Sequence, residues 1–339
     1  MPEIIRNYGV IEKPPKPEDY IAGIASGVVY AVREPFSGWK SYRPLGEMQR
    51  NKYVDAMGCV SWSFNNSVET QINWHMVAKH LTDAQIIKLE PFIDQYGMVN
   101  LSDIGLAFLA GTTQRGAWMS RVATKGRNFA IPESAWPFDT EARTWEELYE
   151  KKLTDEEIQK YSDIFFSVFE IQTEFVSPTL EEAVTHLKQA PLQIVCPICP
   201  GWGNFNGVVQ PCGITVSSHA VVIDGIKDVI DIFDHYKPFG KKLSRDYKIG
   251  SMLKIVVNVK KPNVKKPMLE VKDNVLYQLV EAPGGFALGL GGKLLIDDLG
   301  KILASWLVRN AGKTDGKTAT ATKKEWDSVP HINLKGEEV

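Results

Sequence analysis

The sequence predicts an α+β fold, because helical patterns dominate the first half of the chain and strand patterns dominate the second. From Phe64 to Met76, apolar residues recur every four positions, which is typical of one face of a helix. Beyond residue 190, β-branched runs such as PLQIVCPI, SHAVVIDGI and SMLKIVVNVK are separated by turn residues. We therefore expect a helical half packed against an antiparallel β half.

Shorter helices are predicted between the long helix and the strands. LTDAQIIKLEPFIDQYG (81–97) suits a helix capped by Thr82, and NLSDIGLAFLAG (100–111) suits one that begins near Ser102. TWEELYEKKLTDEEIQKYSD (144–163) is highly charged, so we expect it to lie on the surface.

The same patterns divide the chain into three segments. Residues 1–45 are proline-rich with little periodicity, and we predict an extended arm laid over a domain. Residues 46–260 form that domain, and the lysine- and proline-rich joint VKKPNVKKP marks its end. Residues 268–339 form a small C-terminal extension with GGFALGLGG and a helical apolar stripe over 294–310. That apolar surface predicts packing against the domain or self-association with a second chain.

Composition excludes several classes of partner. The formal net charge of −2 over 339 residues gives no reason to expect nucleic acid as a partner. No apolar run reaches the length of a membrane span, so we predict no membrane partner. The polar N-terminal residues do not resemble a secretory signal, and a reducing interior is the expected compartment.

Cys59 follows Gly58 at the predicted start of the long helix. A thiolate is stabilised by a helix N-terminus and by a nearby imidazolium, so this position suits a nucleophile. We accordingly expect a lowered thiol pKa at Cys59. For a lone cysteine, a small buried hydrophobic side chain is the alternative.

One of the six histidines suits a general base facing that thiol. His219 begins the predicted strand SHAVVIDGI, and Asp234 lies near the end of the next strand. If the two strands pair as a hairpin, Asp234 comes close to His219 and fixes its tautomer. Cys59, His219 and Asp234 would then form a nucleophilic triad. Strand alternation predicts that His235 points to the opposite face.

The sequence over roughly residues 39–257 resembles the papain-like cysteine peptidases, and in particular the divergent members encoded by bacteriophages. The nucleophile and a glutamate ten residues later keep the family spacing at Cys59 and Glu69. NLSDIGL looks like the family's NLSEQ segment, and PCGITVSSHAVVIDGI resembles the stretch that leads into its histidine. IDIFDHYKPF falls where the family has asparagine-serine-tryptophan, so the resemblance gives Asp234 the orienting role. It also implies a papain-like fold and a peptide or protein substrate.

The sequence departs from the family around the oxyanion site. The family's oxyanion glutamine precedes the cysteine by six residues, where this chain has Tyr53, and Gln49 is the nearest glutamine. Val60 replaces the tryptophan that follows the nucleophile. The Cys59 amide can serve as one oxyanion donor, and Gln49 is our candidate for the second.

A rival constellation uses the same histidine. Cys196, Cys199, Cys212 and His219 have spacings that a zinc site accepts, although odd spacing along a strand points the first two thiols to opposite faces. We predict no metal and no cofactor here. A disulfide among the three cysteines is the expectation only in an oxidising compartment.

Two functions follow from these residues. The first is a cysteine peptidase that hydrolyses peptide or isopeptide bonds, phage-encoded and located in the host cytoplasm or the virion. The alternative is a catalytically weak or inactive papain-like structural module of a virion. The departures at the oxyanion site favour the alternative, and the complete Cys, His and Asp set favours the enzyme.

Overall fold

The computed structural model describes residues 9–11, 33, 35, 38–199, 202, 207–213, 217–260, 268–272, 275–282 and 285–289. The chain separates into two compact units, residues 1–260 and 261–339. The helical stripe predicted over 294–310 and most of the predicted N-terminal arm lie outside the described residues.

The first unit contains the helical half. Its described helices are α1 (Cys59–Val77), α2 (Asp83–Lys88), α3 (Asp103–Leu109), α4 (Met119–Gly126), α5 (Trp145–Leu148), α6 (Asp155–Val168) and α7 (Leu180–Leu187). The described residues also form two short 3₁₀ segments, Trp39–Tyr42 and Glu90–Phe92. The predicted caps Thr82 and Ser102 accept hydrogen bonds from backbone amides three residues later, which fixes where α2 and α3 begin.

The β half of this unit is a seven-stranded sheet in the order β1-β7-β2-β4-β5-β6-β3. Its strands are β1 (Phe169–Val176), β2 (Leu192–Ile198), β3 (Val208–Val209), β4 (Ser217–Ile226), β5 (Ile230–Phe233), β6 (Gly240–Leu243) and β7 (Ser251–Val259). All neighbouring pairs are antiparallel except β3 and β6. The predicted α+β class, with a helical half packed on an antiparallel sheet, is confirmed. No element was predicted at β1, which directly follows α6, or at α4, α7, β3 and β6.

Helix α1 lies between the sheet and the other helices. Apolar side chains of α1, such as Val60 and Phe64, share a core with Val195 and Ile255 of the sheet. On its other side Trp62 packs in a second core. The sequence predicted one apolar stripe, whereas nearly every residue of α1 is buried. The cause is that packing surrounds this helix on all sides.

Polar side chains tie α1 to the sheet. Gln71 donates to the Ile255 carbonyl oxygen at 2.8 Å, and Gln193 donates to the Val60 carbonyl oxygen at 2.7 Å. These contacts fix the direction of α1, and its N-terminal residue Cys59 contacts Ala220 of β4. Within the described residues, no helix combines the length and the apolar character needed to cross a membrane.

The second unit contains a three-stranded antiparallel sheet in the order β10-β9-β8. Its strands are β8 (Met268–Lys272), β9 (Val275–Ala282) and β10 (Gly285–Gly289).

Candidate active site

Cys59 is the first residue of α1, as the sequence predicted. Gly58 precedes it as the N-cap, and a Cβ atom at Gly58 would lie 2.3 Å from the Trp62 ring. The Cys59 sulfur accepts a hydrogen bond from the Ala220 amide of β4 at 3.5 Å. Because Ala220 directly follows His219 on β4, the Cys59 thiol lies beside the backbone segment that carries the imidazole.

The protonation of Cys59 differs from the sequence expectation. The residue is completely buried. Burial raises the pKa of its thiol well above the usual value, the Ala220 amide lowers it, and Asp55 and Asp234 raise it further. The predicted lowering of the pKa is therefore wrong for this closed state. Sequence position at a helix start says nothing about desolvation, which is the larger effect here.

His219 and Asp234 meet in the hairpin that the sequence predicted. β4 pairs with β5 in antiparallel register, and Asp234 is the residue directly after β5. His219 Nε2 and Asp234 Oδ1 are 2.7 Å apart, and both side chains are inaccessible to solvent. A carboxylate in this position orients the ring and selects the tautomer with a proton on Nε2.

Asp234 has further partners that hold it ionised. Its Oδ2 accepts from Lys241 Nζ at 2.6 Å and from Trp202 Nε1 at 2.8 Å, and its Oδ1 accepts from the His235 amide at 2.7 Å. Burial by itself raises the pKa of this carboxyl. The attraction of His219 and Lys241 outweighs burial, so the pKa lies well below its usual range.

His235 packs against the candidate base. The His219 and His235 ring centroids are 4.8 Å apart, so the prediction that His235 points to the opposite face is wrong. β5 ends at Phe233, and strand alternation does not extend into the turn that follows. Burial, followed by the charge of His219, lowers the pKa of His235 to about 3, so its ring is neutral.

Gln49 lies near the site but is engaged by other groups. Its side-chain amide donates to Asp55 Oδ1 at 2.9 Å and to the Tyr236 hydroxyl at 2.5 Å. Its backbone amide donates to the His235 carbonyl oxygen at 3.3 Å, which brings the Gln49 backbone beside the residue after Asp234. The Tyr236 hydroxyl in turn donates to Asp55 Oδ2 at 2.5 Å. To act as an oxyanion donor, the Gln49 side chain would have to break its hydrogen bonds to Asp55 and Tyr236.

The rival four-ligand zinc set is not formed. Cys199 and Cys212 are joined in a disulfide, so neither is a thiolate ligand. Cys196 is a free, buried thiol on β2 and lies opposite His219 in the β2–β4 register.

Among the described residues, one group offers three ligand atoms close together. His219, Asp234 and His235 place one such atom each within 4.8 Å of one another. A metal ion does not suit this group, because the Lys241 ammonium already lies 2.6 Å from the shared carboxylate. We assign no metal or cofactor to these residues.

The N-terminal residues that the structure describes lie beside the nucleophile. Gly9 accepts from the Ala117 amide at 2.9 Å, and the Ile11 amide donates back to Ala117 at 3.0 Å. A Cβ atom at Gly9 would lie 2.2 Å from the carbonyl oxygen of Met57, two residues before Cys59. The segment 9–11 therefore packs against the chain that leads into the nucleophile.

Trp202 and Lys241 are the site residues that the sequence analysis missed. Trp202 lies in a segment without periodicity, and no pattern in the sequence indicates its contact with Asp234. For Lys241, the sequence contains a weak indication of burial. In GKKL the buried positions of β6 are Lys241 and Leu243, so a lysine shares the inward face with a leucine. Without the register of β6, nothing distinguishes Lys241 from Lys242.

No protein-family model and no curated protein matches this chain. Solved cysteine proteases are similar to it in structure. Bromelain from Ananas comosus, in complex with E64, is 13% identical with a TM-score of 0.44, covering 65% of this chain and 97% of its own. A cysteine protease of Carica candamarcensis is 14% identical with a TM-score of 0.42, covering 65% of this chain and 96% of its own. Procathepsin L 3 of Tenebrio molitor is also 14% identical with a TM-score of 0.42, covering 70% and 74%. Similarities of this size leave the chemistry to be argued from the chain's own residues.

Proposed function

We propose that this protein is a cysteine peptidase whose nucleophile is Cys59, whose base and acid is His219, and whose orienting carboxylate is Asp234. One observation carries this proposal. The buried His219 is bound through Nε2 to the buried Asp234 carboxylate at 2.7 Å. The sulfur of Cys59, at the start of α1, lies 3.5 Å from the backbone amide of Ala220, the residue after His219. A cysteine with an adjacent base that is oriented by a third group is the arrangement of nucleophilic catalysis.

In the proposed reaction His219 moves the protons. Because Nε2 is engaged by Asp234, Nδ1 accepts the proton from the Cys59 thiol. The thiolate then attacks the peptide carbonyl carbon, and the carbonyl π-electrons move to oxygen. The tetrahedral intermediate collapses to a thioester as Nδ1 returns its proton to the leaving amine. Water, deprotonated by the same nitrogen, then attacks the thioester, and collapse of the second intermediate releases the acid and the thiol.

The oxyanion needs donors near the Cys59 sulfur. The Cys59 amide, at the first position of α1, has no intrahelical acceptor and is one such donor. The Gln49 side chain is the second in this proposal. It must exchange its contacts with Asp55 and Tyr236 for a contact with the substrate oxygen. Breaking those contacts costs free energy, which substrate binding would have to supply.

Closure of the site favours a second candidate function, an inactive structural module. Cys59, His219 and Asp234 are all inaccessible to solvent, and the thiol pKa is raised. An enzyme with this resting state must open to bind substrate, whereas a structural module need not. In either case, we propose that residues 268–339 act in assembly and contribute nothing to the chemistry.

Because the sequence resembles phage-encoded peptidases, proteins and cell-wall peptides are the two substrate classes to test. The full-length protein is incubated with labelled members of both classes, and cleavage products are identified by mass spectrometry. We expect hydrolysis by wild type and loss of at least about 1,000-fold in Cys59→Ala. Cys196→Ala, a change at the other buried thiol, is the matched control and retains activity. Absence of cleavage in wild type, or cleavage by Cys59→Ala, would contradict the peptidase proposal.

A further inference from the structure

The orienting carboxylate carries its own buried counter-ion. Lys241 Nζ lies 2.6 Å from Asp234 Oδ2, and the two side chains are 2% and 0% exposed. The ammonium also donates to the carbonyl oxygens of Tyr236 at 2.5 Å and Pro238 at 2.7 Å. All three protons of the ammonium therefore have acceptors, so this lysine is not poised to act as a base or nucleophile.

A lysine side chain is rarely buried as completely as that of Lys241. Lys241 lies on β6 opposite Ile232 of β5, on the inward face of the sheet. Burying an ammonium without a partner is costly, and a carboxylate at hydrogen-bond distance offsets that cost. The pair places equal and opposite charges within one solvent-free contact beside His219.

We propose that Lys241 is a positioning residue for catalysis, whose ammonium neutralises Asp234 so that the pair acts on His219 as a neutral hydrogen-bond acceptor. This inference rests on the proposed function for its catalytic meaning. The effect of the Asp234 and Lys241 charges on the site can be measured without a substrate.

The charge balance at Asp234 affects the pH at which the Cys59 thiol loses its proton. The titratable groups that interact with these atoms include His219, His235, Tyr236 and Lys241 around Asp234. Around Cys59 they include Asp55, Tyr149, Cys196, Asp234 and Tyr236. An Asp234 charge without Lys241 would oppose a thiolate at Cys59 by repulsion between like charges. The thiol would then lose its proton at higher pH. With the pair intact, the net charge that Cys59 faces at Asp234 is close to zero.

A purely structural role for Lys241 is the competing explanation. Its bonds to Tyr236 and Pro238 also close the turn that follows Asp234. Loss of the turn would reduce reactivity regardless of the charge at position 234. The two explanations therefore differ in whether the effect of removing Lys241 depends on Asp234.

The test is a double-mutant cycle read through Cys59 alkylation. Iodoacetamide reacts with full-length protein across a pH series, and peptide mapping gives the rate at Cys59 alone. We expect Lys241→Met to move the midpoint of the rate profile upward by about one pH unit. In the Asp234→Asn background the buried Lys241 amine has no carboxylate to offset its burial, which favours its neutral form. The same change should then move the midpoint by less than about 0.3 pH unit. Lys241→Arg, which keeps the charge, and Lys242→Met, an exposed neighbour on the same strand, should leave it in place.

An equal shift from Lys241→Met in both backgrounds, or no shift in either, would overturn the inference. If Lys241→Met does not fold, Asp234→Asn/Lys241→Met still decides the matter, because its midpoint must match wild type within about 0.3 pH unit. The peptidase proposal is judged separately, by loss of hydrolysis in Cys59→Ala. The predicted coupling without hydrolysis would leave the charge pair supported and the peptidase proposal wrong.

Discussion

Gly58 controls where the nucleophile lies, because the residue before Cys59 has no room for a side chain. An added Cβ would approach the Trp62 ring to 2.3 Å, and Trp62 is buried. We expect Gly58→Ala to lower the free energy of unfolding by about 1–3 kcal/mol, the usual cost of overpacking a core. The displaced start of α1 should also slow alkylation of Cys59. Chemical denaturation and peptide-mapped alkylation measure the two effects.

Gly213→Ala is the control for that change. Nothing lies within 4 Å of a Cβ atom built at Gly213, and its backbone conformation is not one that favours glycine. Its free energy of unfolding should stay within about 0.5 kcal/mol of wild type. Equal stability of the two variants would show that the Trp62 ring moves aside without cost.

Single residues also show where sequence reasoning stops. A helix start, two strand ends and the family resemblance together indicate Cys59, His219 and Asp234, and the structure brings the last two within 2.7 Å. Lys241 was not found, because its role depends on the register of a strand and on a partner in another segment. The raised thiol pKa was missed for a related reason, since burial is a property of the whole fold.

At the scale of elements, local signals predicted α1, α2, α3 and the strands β2, β4, β5 and β7. The caps Thr82 and Ser102 and the β4–β5 hairpin follow from short sequence patterns. Prediction failed where an element ended early, as at Phe233, so that His235 lies against His219 and not on the opposite face. Alternation holds only while the strand continues, and the sequence does not mark that end.

The segment 9–11 packs against the backbone of Met57, two residues before Cys59. Gly9 has a positive φ of 95°, and its Cα packs against the Met57 backbone. We expect Gly9→Ala to displace this segment, because backbone atoms at Met57 cannot move aside as a flexible side chain can. The rate of Cys59 alkylation should rise several-fold as the segment moves away from the chain that leads into the nucleophile.

The matched control is Gly38→Ala, which has the same kind of backbone strain without the contact. Gly38 has φ 74°, and nothing lies within 4 Å of a Cβ atom built there. Its alkylation rate should equal that of wild type. If Gly9→Ala is also unchanged while remaining folded, the segment does not limit access to the thiol.

At the scale of the whole molecule, buried carboxyl groups dominate the pH dependence of stability above neutrality. Burial raises the pKa of Glu69 and Asp103 well above the usual range, and it raises the pKa of Glu133 to about 9. Repulsion from Glu47 and Glu133 raises the pKa of Glu69 further, and repulsion from Glu69 and Glu47 does the same for Asp103. Groups with raised folded-state pKa values stabilise the fold below their unfolded pKa and lose that contribution as pH rises through the folded value.

Histidines act in the opposite direction but at lower pH. Burial lowers the pKa of His75 to about 4, and His235 titrates at about 3. A lowered histidine pKa costs stability only as pH falls below the unfolded value of about 6.5. The carboxyl contribution is therefore separable between pH 7 and pH 9.

We expect the free energy of unfolding to fall as pH rises from 7 to 9, and Glu133→Gln to reduce that slope. The folded protein binds extra protons in this range, and each one contributes a slope of at most about 1.4 kcal/mol per pH unit. The amide oxygen that this substitution introduces can still accept the Phe138 amide bond that Glu133 Oε1 accepts at 2.7 Å, so the change removes a titrating group with little loss of contact. Urea unfolding at fixed ionic strength and several pH values measures the slope. Glu156→Gln, an exposed change on α6, should leave it unaltered, and a Glu133→Gln slope equal to that of wild type would show that Glu133 is already ionised in the folded protein at pH 7.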